Sequence, residues 1–407
     1  MKEITYLHSE DLKKYVKNHD KMVIYGAGMV GQALYWLLKS YCMEDKVIGF
    51  ALSPHAAQFL NDFEGKQIQC FDMYDEKECT YIVAVKQEFL EPIIGHLRDR
   101  KFVCVSVDTI KDLFLDVIEK VNPAVRAELN KTELTVEQYV SACIKQIRRK
   151  KLGFCINLVD HCNLNCQSCN RFCPIADKFI LSVDKFKKDM ERIAYLTNSD
   201  IEHLDLIGGE PMLNPNLIEI MYVARNIFPQ APIVLNTNGT LIPRQSDAFF
   251  QALRDTRVRP IITKYPINVD YEEINRRLEK EGIDYSYTAS STDTVKTTYH
   301  LPLVENSDMD PMQNYLKCWH ANECVALCDG RIYTCPIAPY AHYFNKYFHK
   351  NLYVGEENSI GIYDVEDLQE ILEFLKKPIP FCRHCNISGY TFNIPWAVSK
   401  KKIEEWT

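Results

Sequence analysis

The chain has 407 residues, of which 46% are hydrophobic and 25% charged, and its formal net charge is −7. This composition is typical of a globular protein of two or three domains, and the negative charge argues against nucleic acid or an anionic membrane as a partner. The first residues lack the basic start and apolar run of a signal peptide, and the longest apolar tract, 22–38, is interrupted by glycines. We therefore expect a cytoplasmic protein.

Residues 1–110 alternate short apolar runs with helical patterns, which predicts a parallel, doubly wound sheet. A predicted strand at 22–25 is followed by Gly26, Gly28 and Gly31 and then by an apolar helix. This Gly-x-Gly-x-x-Gly spacing is that of a phosphate-binding turn. Residues 50–53 lack the acidic side chain that would hold a ribose, which argues against NAD.

The N-terminal region resembles the Rossmann-like domains that accompany nucleotide-sugar enzymes. That resemblance implies a nucleotide or nucleotide-sugar site at Gly26, Gly28 and Gly31. A structural remnant without a ligand is the alternative, and the residues leave both open. Residues 111–152 then predict a helical connector that ends in a basic run.

A second series of strands and helices occupies residues 153–300. Strands are predicted at 155–159, 203–207, 232–236 and 259–263, with helices near 184–196, 215–227, 245–254 and 271–281. This repeat predicts an α/β fold, as a full or partial barrel, in which the chemistry collects at the carboxyl ends of the strands.

A polar or glycine-rich signal follows each of these four strands. In chain order the signals are Cys162-x3-Cys166-x2-Cys169, then Gly208-Gly209-Glu210-Pro211, then Asn236-Thr237-Asn238-Gly239, and then Lys264-Tyr265. Turn residues explain any one of them, but four at successive strand ends predict a common site at one mouth of the sheet.

The three cysteines, with the Gly208–Pro211 run about 40 residues later, resemble the radical S-adenosylmethionine (radical SAM) superfamily across residues 153–300. The resemblance implies a partial (β/α)6 barrel. It also implies a [4Fe–4S] cluster held by Cys162, Cys166 and Cys169, with S-adenosylmethionine on the fourth iron. Residues assigned to S-adenosylmethionine in this way are Gly208, Gly209, Glu210, Pro211, Asn236 and Asn238.

One position departs from the family pattern. The aromatic residue that usually precedes the third cysteine, near the adenine, is replaced by Ser168, and we expect Phe172 to compensate. Cys173 is interpreted as an ordinary loop cysteine, with an extra ligand or a redox thiol as the alternative. A zinc ion at the triad is disfavoured because structural zinc takes four ligands at other spacings.

Cysteines reappear in residues 301–407. Cys318, Cys335, Cys382 and Cys385 resemble the ligands of the auxiliary-cluster domain called twitch, a shortened relative of SPASM. The resemblance implies a second [4Fe–4S] cluster that carries electrons, with zinc or free thiols as alternatives. Cys324 and Cys328 lie on a predicted hairpin and are interpreted as packing residues, although either could replace Cys318.

In relatives with a twitch domain, the auxiliary cluster can accept the second electron of an oxidation. The resemblance therefore implies a radical SAM oxidoreductase that oxidises an alcohol on a sugar, nucleotide-sugar or aminocyclitol, with flavodoxin or ferredoxin as electron donor. Lys264, Tyr265 and Asp160 are the candidate bases for the hydroxyl proton, and His161 is expected to orient the cluster loop. The alternatives are a peptide maturase, a sugar epimerase or dehydratase, and a non-enzymatic iron–sulfur protein.

Overall fold

A computed structural model describes residues 5–7, 9–54, 62–63, 65–75, 79–86, 89–97, 99–121, 123–132, 134–147, 151–288, 297–306, 309–321 and 325–407. The chain forms two compact units, Met1–Arg149 and Lys150–Thr407. This division differs from the predicted boundaries, because the helices assigned to a connector at 111–152 belong to the first unit. Their apolar stripes pack against the sheet domain that precedes them.

The described part of the first unit contains a seven-stranded sheet in the order β1-β7-β6-β2-β3-β5-β4. All neighbours are parallel except β4 and β5. The strands are β1 (Tyr6–Leu7), β2 (Met22–Tyr25), β3 (Val47–Leu52), β4 (Asp62–Phe63), β5 (Lys66–Cys70), β6 (Thr80–Val83) and β7 (Phe102–Val105). The predicted parallel sheet is thus present.

The helices of the first unit flank this sheet. They are α1 (Ser9–Lys17), α2 (Met29–Ser40), α3 (Leu90–His96), α4 (Val107–Val121), α5 (Pro123–Lys131) and α6 (Val136–Ile147). Helix α2 packs against α4 and α6. The turn between β2 and α2 needs glycine at two places: Gly26 has φ +118°, and a Cβ on Gly31 would lie 1.7 Å from the Gly26 carbonyl oxygen.

The second unit is built on an eight-stranded sheet, counted over the described residues, in the order β12-β11-β10-β9-β8-β14-β15-β16. Strands β8 to β12 and β14 are parallel, whereas β15 and β16 are antiparallel to their neighbours. The bounds are β8 (Gly153–Asn157), β9 (His203–Ile207), β10 (Ile233–Thr237), β11 (Arg259–Ile262), β12 (Ser286–Tyr287), β14 (Ala326–Cys328), β15 (Arg331–Tyr333) and β16 (Ser359–Gly361).

Helices cover this sheet and close its core. They are α7 (Val183–Thr197), α8 (Leu217–Ile227), α9 (Asp247–Thr256), α10 (Tyr271–Lys280), α11 (Pro311–Lys317), α12 (Ala341–Phe348) and α13 (Leu368–Leu375). Fully buried Leu204, Leu206 and Leu235 of the strands pack with Phe186 and Ile220 of the helices. Strands that are buried on both faces have continuous apolar runs in the sequence. Such runs are easily recognised, which explains why these strands were predicted well.

The cysteine-rich C-terminal region does not form a separate compact unit. Its hairpin β14–β15 turns at Asp329–Gly330, as predicted, but β14 pairs in parallel with β8 and so extends the main sheet. A small antiparallel pair, β13 (Thr297–His300) and β17 (Thr391–Pro395), lies outside it. The described helices include none with the length and apolarity needed to cross a membrane.

Candidate active site

The loop after β8 is shaped by left-handed residues. Asn165, Ser168 and Phe172 have φ of +50°, +56° and +55°, and each stands immediately before a cysteine. Non-glycine residues rarely adopt this conformation, so three in one loop mark a tightly constrained backbone. The repeated turns bring Cys162, Cys166, Cys169 and also Cys173 to the wall of one cavity.

The glycine-rich run after β9 packs directly against the base of this loop. The N–H of Gly209 donates to the Val159 carbonyl at 2.8 Å, and the N–H of Glu210 donates to the His161 carbonyl at 3.2 Å. A Cβ on Gly209 would lie 1.9 Å from the same His161 oxygen. Position 209 must therefore be glycine for the two loops to meet, and His161 orients the cysteine loop through its backbone.

A C-terminal segment, residues 396–406, lies along the other side of the cysteine loop, and we call it the C-terminal strap. The N–H of Gln167 donates to the Ala397 carbonyl at 2.9 Å, and the N–H of Ser399 donates to the Asn165 carbonyl at 2.8 Å. The indole of Trp406 also bonds the loop backbone. The cysteine loop is thus held between the glycine-rich run and the end of the chain.

The cavity has a volume of about 220 Å³ and lies at the carboxyl ends of β8 to β11. The predicted site residues on its wall are Cys162, Cys166, Cys169, Gly208, Gly209, Asn236, Asn238 and Tyr265. The signals that follow four successive strands therefore meet at one mouth, as the repeat predicted. The size and the polar wall suit a small ligand.

Several predicted residues do not line this cavity. Phe172 is fully buried in a separate core beside Phe344 and Trp406, so it does not offer the aromatic surface expected in place of Ser168. Ser168 itself borders a different, much smaller cavity. Phe172 has a left-handed backbone conformation, and its side chain is directed away from the first cavity into this core.

Glu210 and Pro211 are also turned away from the cavity, and both are buried. The Glu210 carboxylate accepts hydrogen bonds from the Thr237 hydroxyl at 2.7 Å, the Asn238 N–H at 3.0 Å and the Met212 N–H at 3.2 Å. Burial raises the pKa of Glu210 to about 7 against these bonds, which lower it. Glu210 therefore ties the glycine-rich run to the end of β10 instead of facing a ligand.

Of the three candidate bases, Asp160 and Lys264 do not face the cavity. Asp160 is buried and accepts bonds from Tyr343 at 2.7 Å and Asn157 at 2.9 Å. The Lys264 ammonium lies 4.3 Å from the centre of the Tyr287 ring. Attraction to an aromatic face holds the lysine away from the cysteines.

Tyr265 lies on the cavity wall together with Cys166. Its ring packs edge-on against Trp396 of the C-terminal strap, at 5.7 Å between centroids. Burial, and then the neighbouring sulfurs, raise the pKa of Tyr265 well above its ordinary value of 10. The phenol therefore keeps its proton at neutral pH and acts as a donor, not as the base that the sequence suggested.

The cavity wall also includes residues that the sequence interpretation did not assign to the site. Arg171 is buried there, donating to the Asn157 side chain and lying 5.8 Å from the Tyr340 ring centre. Cys173 is another, and its neighbouring thiol lowers the pKa of Cys169 below the ordinary thiol value. The signal for Cys173 was its place four residues after the motif.

The C-terminal cysteines line a second, small cavity in the same unit. Cys318, Cys335, Cys382 and Cys385 all contribute to its wall. Asn314 supports them by donating 2.8 Å hydrogen bonds to the carbonyls of Cys382 and Cys385. Cys328 is not on this wall, and Cys324 lies outside the described residues.

Burial favours the neutral, protonated form of the thiols at this place. Burial raises the pKa of Cys335 to about 11, and it raises that of Cys385 well above the ordinary thiol value. Thiolates at this place therefore need a metal to hold their charge. In the described part of the chain no three His, Cys, Asp or Glu side chains are grouped closely enough to hold a metal ion.

Three side chains connect the two cavities. Asn170, on the wall of the first, donates to the Tyr299 hydroxyl at 2.7 Å. The Tyr299 ring lies 5.0 Å from the His320 ring, and His320 is on the wall of the second cavity. The two cysteine sets are therefore linked by one chain of contacts.

Residues 156–293 match the protein family described as the Radical SAM superfamily. Among curated proteins, the GTP 3′,8-cyclase of Alkaliphilus oremlandii (strain OhILAs) is 26% identical over 110 residues, which is 27% of this chain and 34% of that protein. The GTP 3′,8-cyclase of Chlorobaculum tepidum is 27% identical over 95 residues, 22% of this chain and 29% of that protein. The chain thus spans about a third of the length of these relatives.

Solved structures with a partial likeness include BtrN in complex with AdoMet and 2-DOIA. That likeness has a TM-score of 0.37 at 16% identity and covers 58% of this chain and 94% of BtrN. Native anSMEcpe with bound AdoMet gives a TM-score of 0.34 at 12% identity, over 55% of this chain and 84% of the other. The sequence match, together with the three-cysteine loop at the carboxyl ends of parallel strands, identifies residues 156–293 as a radical SAM superfamily domain.

Proposed function

We propose that this chain is a radical SAM oxidoreductase that dehydrogenates an alcohol on a sugar, nucleotide-sugar or aminocyclitol, with an auxiliary [4Fe–4S] cluster on its second cysteine set. The observation that carries the proposal is the pair of sulfur-lined cavities in one unit, joined through Asn170, Tyr299 and His320. An epimerisation or dehydration removes no net electrons from the substrate, so it would not need a second electron-accepting site.

The first cavity fits the cofactors of this chemistry. Cys162, Cys166 and Cys169 would hold three irons, and the backbone of Gly208 and Gly209 lies beside them for S-adenosylmethionine. When bound, these cofactors supply a 5′-deoxyadenosyl radical. The family assignment implies this first cluster, and the auxiliary cluster on Cys318, Cys335, Cys382 and Cys385 is part of the proposal.

The protein's own part in the reaction is to position the substrate and exclude solvent. Asn236 and Asn238 offer amide groups on the cavity wall, and Asn238 is fixed by its 2.8 Å bond to the Asn163 side chain. Arg171 places a buried cation there, which favours an electron-rich substrate group. Oxidation of an alcohol removes a hydrogen atom from carbon, a proton from oxygen and one electron. We assign the second cysteine set as the acceptor of this substrate electron. The external electron donor of the protein is a separate partner, and it would be flavodoxin or ferredoxin.

The decisive experiment offers sugars, nucleotide-sugars and aminocyclitols, deuterated at carbon, to anaerobic, reduced, iron-loaded protein. We expect deuterium in 5′-deoxyadenosine and a carbonyl product in equal amounts, and neither with Cys162→Ala. Cys382→Ala with Cys385→Ala should retain S-adenosylmethionine cleavage but lose the carbonyl product. An epimer, a dehydrated product or a modified peptide in place of the carbonyl would refute the oxidation.

We also propose that the first unit binds a nucleotide or nucleotide-sugar. A cavity of about 420 Å³ lies beside Gly26 and Gly28, at the carboxyl ends of β2, β3 and β6, and its described wall carries Lys86 and His96 but no acidic side chain. A volume of this size suits a small ligand, and open α/β sheets bind ligands at this edge. Gly31 is not on the wall, because it serves the close packing of α2 on the turn.

Gly28 allows a sharp test of this site. A Cβ at position 28 would meet nothing within 4 Å, and its φ of −77° suits any residue, so Gly28→Val would place its side chain at the cavity wall. We expect nucleoside diphosphate sugars to raise the melting temperature of the wild type but not of Gly28→Val. Gly95→Ala, also in open space, is the control. The absence of any shift in the wild type would count against the site.

A further inference from the structure

Thr334 carries a hydroxyl that the described protein leaves without a hydrogen-bond partner. The residue follows β15 and precedes Cys335, and only 1% of it is exposed. Its oxygen is buried, and none of the described residues accepts from it or donates to it. A buried hydroxyl without a partner costs stability, so such a group in a folded protein calls for an explanation.

Thr334 is on the wall of the second cysteine cavity. The same wall carries the four cysteines and two further polar side chains, Asn314 and His320. Asn314 gives its amide to the carbonyls of Cys382 and Cys385, and His320 bonds the Tyr390 hydroxyl at 3.2 Å. The remaining wall is apolar, so a group held by the four sulfurs would bring hydrogen-bond acceptors to the wall that Thr334 lines.

The end of the β14–β15 hairpin positions Thr334 beside Cys335. Thr334 comes directly after Tyr333, the last residue of β15, and directly before Cys335. Strand β15 is held on both sides, by β14 and by β16. The hydroxyl therefore lies one residue beyond a strand that is paired on both sides.

We propose that the Thr334 hydroxyl donates a hydrogen bond to a sulfur of the iron–sulfur cluster held by Cys318, Cys335, Cys382 and Cys385, and so sets its reduction potential. The inference rests on the auxiliary cluster of the proposed function. Reduction adds negative charge to the cluster, so a donor at its sulfur stabilises the reduced form and raises the potential. Thr334 is a positioning residue in this role, since it transfers nothing itself.

The test uses full-length protein in which Cys162, Cys166 and Cys169 are all alanine, so that one cluster remains. Thr334→Val keeps the shape of the side chain and removes the hydroxyl, while Thr334→Ser keeps the hydroxyl. Thr197→Val is the matched control, because Thr197 is equally buried but its hydroxyl already donates to the Ile193 carbonyl at 2.8 Å. The measurements are the reduction potential by EPR-monitored titration, iron retained against a chelator, and the melting temperature without iron.

We expect Thr334→Val to shift the potential to more negative values and to retain iron about tenfold less well. Without iron the same variant should melt at a higher temperature than its parent, because an unsatisfied hydroxyl has been removed. Thr334→Ser and Thr197→Val should keep the parental potential. An unchanged potential and retention in Thr334→Val, or a lower melting temperature without iron, would overturn the inference while leaving the cluster in place. Absence of iron from the parent protein would instead refute the auxiliary cluster, and the inference with it.

Discussion

The indole N–H of Trp406 donates a 2.9 Å hydrogen bond to the carbonyl oxygen of Cys169, from a position 237 residues away in the sequence. The Trp406 ring also packs against Phe172, the residue that turns the same loop. The last residues of the chain therefore take part in shaping the three-cysteine loop. A domain match that ends at residue 293 does not reveal this dependence.

Trp406→Ala should destabilise the protein and disturb the cysteine loop. Trp406 is 3% exposed, and deletion of a buried tryptophan costs about 3–5 kcal/mol of unfolding free energy. Urea unfolding and iron content after anaerobic reconstitution measure the two effects. Tyr195→Ala, at a position 71% exposed, is the control and should change neither. Full iron loading in a destabilised Trp406→Ala would show that the loop does not need the strap.

Gly209→Ala should reduce iron binding at the first cysteine set. The added Cβ would lie 1.9 Å from the His161 carbonyl oxygen and 2.9 Å from the Cys162 amide nitrogen, so the cysteine loop has to move. Gly95→Ala is the matched control, because a Cβ there meets nothing within 4 Å. We expect loss of iron and of S-adenosylmethionine cleavage in Gly209→Ala only. Equal iron in both variants would mean that the loop tolerates the displacement.

The iron count tests both cysteine sets at once. Anaerobically reconstituted wild type should hold about eight irons, and Cys382→Ala with Cys385→Ala should hold about four. Cys104→Ala with Cys143→Ala replaces two buried cysteines of the first unit and should stay at about eight. If the Cys382 and Cys385 double variant keeps its full iron, the auxiliary cluster is refuted.

Glu210 should make the stability of the protein fall as the pH rises. Its pKa is about 7 when folded against an ordinary 4.5, so between these values the folded state holds a proton that the unfolded state has released. The free energy of unfolding therefore decreases by about 2–3 kcal/mol between pH 5 and 8 through this one group. Glu210→Gln does not titrate, and the difference between the two urea-unfolding profiles isolates the effect. A difference that stays constant with pH would contradict the assignment.

Tyr265→Phe should lower the reduction potential of the first cluster. Tyr265 shares the cavity wall with Cys166, and removal of a hydroxyl donor beside a ligand sulfur destabilises the reduced state. The matched control is Tyr222→Phe, because the Tyr222 hydroxyl lies at the surface and bonds Asp255. Potentials are compared in the Cys382 and Cys385 double variant, which leaves one cluster to observe. Identical potentials would assign Tyr265 a purely structural role.

Much of the site followed from short-range patterns. The run from Cys162 to Cys169 and the glycines at 208 and 209 lie directly after buried strands, and parallel strands bring their carboxyl ends to one edge of a sheet. The apolar runs predicted β8 to β11 and their helices because strands covered on both faces are apolar throughout. The position of these loops at the carboxyl ends of the strands was therefore enough to predict which loops meet.

Side-chain direction and long-range pairing were decided only by the tertiary structure. Phe172 and Glu210 stand beside true wall residues, yet a left-handed turn and three hydrogen bonds direct them elsewhere. The pairing of β14 with β8 and the contact of Trp406 with Cys169 join segments more than 150 residues apart, for which the sequence has no local signal. The sequence alone predicted the two cysteine sets from their spacing, whereas packing across the unit decided that Asn170, Tyr299 and His320 link them.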